Sequence, residues 1–260
     1  MRRLKLFAKG NVDVLETLHD CRIGGQPVWN GINQVLRERD IKAVVRLRHE
    51  TSTGARGLMH PPAADDPIGV ETAALEPHPL AMQASGALFE TDADAVVLSI
   101  LPDVAMRHLR SLDTGGYLTV SHAALLDEAT AVRLRLSHVD AGLPTVEETF
   151  ENYLQVVSRL RTRTQAPLLI YNLSPIAPGP VTHCFLGLED SIATRIRRFN
   201  LMLVELSQQT GISVVDVESL VAKAGADRAK LDVNHLTGEG ARLVADEVVR
   251  ILADYGLFDE

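Results

Sequence analysis

Asp232-Val-Asn-His235-Leu-Thr-Gly238-Glu-Gly-Ala241 places an acid three residues before a histidine and then opens a helix. Ala241, Val244, Ala245, Val248 and Leu252 recur at helical spacing, so one face of that helix must be buried. Asp232 and His235 therefore fall in a loop at the lip of the core. There a carboxylate can fix an imidazole's tautomer and raise its basicity. The plainer reading is a loop in which both side chains only satisfy backbone groups, and a lone Asp-x-x-His does not decide between the two. The apolar strand upstream, Ile212-Ser-Val-Val-Asp216-Val, and the glycines downstream supply the context.

Working outward, apolar runs alternate with helical patterns along the whole chain. Strands are expected at residues 4–8, 42–47, 95–101, 168–173 and 213–217, with helices at 32–39, 104–109, 146–163 and 192–209. The run 95–101 is continuously apolar, as in a strand buried on both faces of a parallel sheet. Residues 48–54 read as a loop at a strand end, and 61–79, with four prolines, as irregular and exposed. Residues 113–139 interrupt the alternation and hold two candidate strands, 117–120 and 131–136. We expect an insertion there, a lid or an interface element. The 260 residues fit one α/β domain, a flavodoxin-like three-layer sandwich with a central parallel sheet.

In such sheets ligands bind beyond the carboxyl ends of the strands. That rule gathers Asn11, Asp13, Arg48, His49, Asp103, Ser174, Asp232 and His235 onto one edge. The net charge of −8 and the absence of basic runs exclude nucleic acid and acidic membranes as partners. No stretch is apolar enough to span a membrane, and the charged opening, Met1-Arg-Arg-Leu-Lys-Leu-Phe, has no signal-peptide core. Cys21 and Cys184 match no metal or redox spacing and read as buried free thiols, so a cytoplasmic protein is expected. The histidines likewise show no ligand spacing, and neither a metal nor a cofactor is expected.

From about residue 94 onward the layout resembles the SGNH (GDSL-type) hydrolases. The shared features are strand 95–101, the strand ending Tyr171-Asn172-Leu-Ser174-Pro, the helix carrying Asn200, the strand with Asp216, and Asp232-x-x-His235. The resemblance implies the SGNH hydrolase fold and a triad in which Asp232 and His235 serve a serine. In the family's first block a strand is followed by Gly-Asp-Ser, and some relatives linked to polysaccharide chemistry carry Gly-Asn-Cys. This chain has Gly10-Asn11-Val12-Asp13, so valine stands at the nucleophile's position. Gly54 or Gly57 would supply the family's oxyanion N–H. The third block, Gly-x-Asn-Asp, is here Ile100-Leu101-Pro102-Asp103, and proline offers neither a side-chain donor nor an N–H. Losing one oxyanion donor costs on the order of 10²–10³ in rate. Losing the nucleophile closes the acyl-enzyme route.

The remaining candidates each have a plain alternative. Asp13 can be a base or an orienting acid with Asn11 positioning substrate, or the two can seal a turn by Asx hydrogen bonds. Arg46 and Arg48, two apart on a strand, can clamp an anion beside His49, or pair with Glu50 at a solvated strand end. Asp103 can face the active edge or cap a helix. Ser99, Ser121 and Ser174 lack the strained, glycine-flanked elbow of a nucleophile. Trp29 reads as core.

These residues lead to an SGNH-like enzyme without a serine nucleophile. His235 and Asp232 would do acid/base chemistry on a small, anionic substrate, in bacterial secondary metabolism by analogy. The reaction would be hydrolysis by activated water, or elimination or intramolecular displacement with a sulfate- or phosphate-type leaving group. The alternative is a catalytically silent subunit that binds a ligand or supports a partner enzyme, with homo- or hetero-oligomer contacts through the insertion.

Overall fold

The computed structural model describes residues 1–19, 21–23, 26–66, 80–120, 128–176, 178 and 191–259. In chain order the elements are β1 (Arg2–Lys9), α1 (Val12–Leu18), β2 (Cys21–Ile23), β3 (Gln26–Trp29), α2 (Ile32–Glu38), β4 (Ala43–Glu50), α3 (Gly54–Met59), α4 (Leu80–Gln83) and β5 (Ala95–Ser99). They continue as α5 (Leu101–Ala105), β6 (His108–Ser111), β7 (Tyr117–Thr119), α6 (Glu128–Ser137), β8 (His138–Gly142), α7 (Val146–Arg161) and β9 (Leu168–Tyr171). The last are α8 (Ile192–Thr210), β10 (Ser213–Val215), α9 (Val217–Ala224), α10 (Ala226–Ala229) and α11 (Gly238–Asp254).

Five strands pair in parallel in the order β4-β1-β5-β9-β10. Counted along the chain, that is the flavodoxin-like order, whose direction of winding reverses between β1 and β5. Side chains alternate across the sheet, and both faces are covered. Leu4, Leu6, Ala8, Val97, Leu169 and Val215 pack under α1, α2 and α11. Phe7, Val96, Leu98, Leu168 and Ile170 pack under α3, α7 and α8. The expected three-layer α/β architecture is the one observed, and Trp29 is in the core, donating to the Thr17 carbonyl at 2.9 Å. Among the described residues no helix is long and apolar enough to cross a membrane.

Several local expectations are corrected. Arg48, His49 and Glu50 continue β4 to its end and do not form a loop. Residues 131–136 lie inside α6, a helix that buries Leu134 and exposes Val132 and Leu136. The helix expected at 104–109 is the short α5, after which the chain turns into β6. Around the expected insertion, β7, β6 and β8 form an antiparallel sheet over a small core of Leu80, Leu109, Leu118, Val120 and Leu134. Buried Arg56 of α3 pairs bidentately with Glu148 of α7, at 2.5 Å, within the main body, and by donating to the carbonyl of Ala141 in β8 it joins this unit to that body. Residues 67–79, Ser121, Cys184 and the side chain of Cys21 lie outside what the structure describes.

Candidate active site

The turn after β1 carries three of the expected positions in succession, Asn11, Val12 and Asp13. A Cβ on Gly10 would sit 2.4 Å from Val14 Cγ2, so only glycine lets α1 start this close to the strand. Asn11 is the N-cap of α1 but makes no side-chain cap. Its Oδ1 accepts the Ser52 N–H at 3.2 Å and its Nδ2 meets Met106 Sδ at 2.8 Å, tying β1's end to the loop after β4. Val12, at the nucleophile's position, is half-buried.

Asp13 is buried and points inward. Its Oδ2 accepts the hydroxyl of Ser99, and Ser99 Oγ accepts the Leu101 N–H at 3.0 Å. This contact spans the place where the winding of the sheet reverses. The other oxygen, Oδ1, is buried without a partner among the described residues. Burial raises the Asp13 pKa against the opposing effect of Ser99. One turn further on α1, Glu16 lies near His235 and the Leu236 N–H. Burial raises its pKa as well, and its Oε2 has no partner among the described residues.

The loop carrying His235 is built by its own hydrogen bonds. Lys230 and Leu236 form an antiparallel bridge, and Leu231 N–H donates to the His235 carbonyl at 3.0 Å. Asp232 Oδ1 accepts the N–H groups of Asn234 at 2.7 Å and His235 at 2.8 Å, so the carboxylate is fixed by backbone. Both its oxygens then lie 2.8–2.9 Å from His235 Nδ1. Burial pushes the Asp232 pKa up, but the His235 and Asn234 N–H bonds and the imidazole outweigh it and hold it low. The pair is open to solvent, with 42% of the His235 side chain exposed. With Nδ1 fixed in this way, Nε2 has no partner among the described residues. Thr237 caps α11 through the Gly240 N–H, at 3.1 Å.

Behind this loop lies a cavity of about 20 Å³, the space of one water molecule, lined by Asp13, Asn172, Ser174, Lys230, Val233 and Asn234, among others. Sequence reasoning passed over Lys230 because a lysine in a polar loop is normally solvated. It also passed over Glu16, which stands one helical turn from Asp13 and was legible from that spacing.

The other expected residues are placed elsewhere. Arg48 donates to Glu50 at 2.6 Å and its guanidinium stacks 5.3 Å from the Phe7 ring, on the face opposite the His235 loop. Arg46 is exposed and pairs in register with Lys5, in mid-strand. His49 donates from Nε2 to the Gly10 carbonyl at 3.0 Å, and burial lowers its pKa. Asp103 is fully buried inside α5, accepting the Ala55 N–H at 2.8 Å and the Tyr153 hydroxyl at 3.0 Å. Burial pushes it up to about 7. It caps no helix at 104–109. The Gly54 N–H is taken by Ser52 Oγ at 3.0 Å and Gly57 lies within α3, so the oxyanion positions expected from these two glycines are closed. Among the described residues no three His, Cys, Asp or Glu side chains converge as a metal site would.

No family model and no curated protein matches the chain. Among solved structures it is similar to an alpha/beta hydrolase from the metagenome of Lake Arreo, Spain. That match has 15% identity over 99% of this chain and 97% of the other, with a TM-score of 0.51. It is also similar to an acetylxylan esterase from Geobacillus stearothermophilus, at 10% identity over 95% and 93% of the two chains, with a TM-score of 0.50. A weaker likeness, TM-score 0.47 at 11% identity over 96% and 98% of the chains, is to a lipolytic G-D-S-L protein from Veillonella parvula. The first two likenesses show the fold: the chain shares the α/β architecture of those two enzymes, as the resemblance implied.

Proposed function

We propose that this chain is a hydrolase-fold enzyme in which His235, oriented by Asp232, activates water directly against a small substrate, with no covalent intermediate. The observation that carries the reading is the pair itself. Nδ1 is held against both oxygens of a carboxylate that the backbone has already fixed, and Nε2 is left without a partner on a half-exposed ring at the active edge of the sheet. A proton on Nδ1 bound to Asp232 leaves Nε2 as the acceptor. Nε2 takes a proton from water as the oxygen bonds to an electrophilic carbon, and Asp232 stabilises the imidazolium. The imidazolium then returns that proton to the departing oxygen as its bond to carbon breaks.

Displacement of sulfate or phosphate was the reading that needed Arg46 and Arg48. With Arg48 on Glu50 and Arg46 in mid-strand, the support for an anion clamp falls away, and hydrolysis of an uncharged or weakly charged ester is favoured. Val12 and the closed oxyanion positions favour the second reading, a catalytically silent subunit.

The test is turnover of a panel of small acyl esters, and separately of sulfate and phosphate esters, by the wild type and by His235→Ala. Acyl-ester turnover is expected to fall about 10²–10⁴-fold in the variant with its circular dichroism unchanged. Equal traces in both proteins would leave the silent subunit. A response confined to the sulfate and phosphate esters would reinstate the anionic substrate.

A further inference from the structure

We propose that Lys230 is a positioning residue for the His235–Asp232 pair, clasping their loop to the end of β9 and reaching Asp13 through one water molecule in the cavity they share. The inference rests on the function proposed above and deepens it.

Three observations meet at this lysine. Its Nζ donates to the Val233 carbonyl at 2.9 Å, inside the loop, and to the Ser174 carbonyl at 3.2 Å, beyond the end of β9. The ammonium thus bridges the loop to the sheet. An ammonium has three hydrogens, and these two bonds use two. The cavity beside it has room for one water and is lined by Asp13, whose Oδ1 is buried without a partner among the described residues. A water needs two to four polar partners. A water placed in this cavity would have Lys230 as its donor and Asp13 Oδ1 as its acceptor, with Asn172 also lining the space. The chain of contacts then runs from the His235 loop to the first turn of α1, one residue from Val12, and fixes where His235 stands relative to the reacting edge.

The titratable groups around the lysine are Asp13 and Glu16 on α1, Asp232 and His235 in the loop, and Asp216 behind Asn172, to which Asn172 donates at 2.8 Å. Burial pushes Lys230 down to about 8, and Asp232 works against that. The ammonium thus stands beside the carboxylate that holds His235 as well as inside the loop that carries both.

The experiment follows the His235 imidazole by NMR in the full chain, comparing wild type with Lys230→Met and Lys230→Gln, and records melting temperature and the split between kcat and KM. In Lys230→Met the His235 imidazole signals are expected to shift and broaden as the loop loses its clasp, with kcat lowered about tenfold or more and KM little changed. Lys230→Gln keeps a donor for the carbonyls and is expected to restore most of kcat and the wild-type His235 signals. His235 signals and kcat equal to wild type in Lys230→Met would make the lysine a structural amine only, and overturn the proposal. The imidazole signals need no substrate, so a failure of the proposed hydrolysis in His235→Ala is read separately.

Discussion

Asp103 shows how a residue at the expected active edge can serve the scaffold. Its carboxyl receives the Ala55 N–H and the Tyr153 hydroxyl, and Gly54, at φ +72°, leaves room for it. With its pKa at about 7 against 3.8 unfolded, the folded protein keeps a proton between those values that the unfolded chain has released. Its contribution is therefore full below about pH 4 and is lost as pH rises through 7. Each pKa unit is worth about 1.4 kcal/mol, so the loss is on the order of 4 kcal/mol. Asp103→Asn keeps the acceptor for Ala55 and turns a donor to Tyr153. Urea unfolding at pH 4.5 and pH 8 is expected to show stability falling across this interval in the wild type and markedly less in the variant. Identical slopes would mean that Asp103 does not titrate there.

Helix α11 and the loop before it were the legible elements. The spacing of Ala241, Val244, Ala245, Val248 and Leu252 named the buried face, and all five are in the core. What the spacing did not say is how close α11 lies to its neighbour. A Cβ on Gly240 would stand 2.0 Å from the Ala229 carbonyl oxygen in α10. Gly240→Ala is expected to cost about 1–3 kcal/mol despite the better helix propensity of alanine. It should also broaden the His235 resonance by displacing the loop between the two helices. Chemical denaturation and NMR check the two halves separately. In α6 the sequence pattern misled: Val132, Leu134 and Leu136 alternate as a strand would, yet only Leu134 meets a core. Alternation in a small satellite unit reflects which side chains have a partner, and exposed leucines break the code. Lys230 was illegible for a related reason, since nothing local announces that a lysine will be enclosed by its own loop.

Across the whole molecule, the strand order was not readable from the sequence, and it decides the fate of two residues. The order sets β4 at the margin of the sheet, paired with β1 on one side only among the described residues. A strand of eight residues with one row of backbone groups unpaired is a template on which another chain's strand can grow, and charged side chains are a common means of blocking that growth. Arg46 and Arg48 both stand on this strand with their side chains open to solvent, next to an exposed Val44. Arg46 and Arg48 thus place charge along the open edge, the arrangement by which natural sheets block such growth. Replacing both with valine is expected to leave the His235 spectrum intact while light scattering shows assemblies growing with concentration and time. A monodisperse double variant would show that the two arginines do not guard this edge. Where the sheet runs out, two charged side chains stand between its open edge and any strand that would extend it.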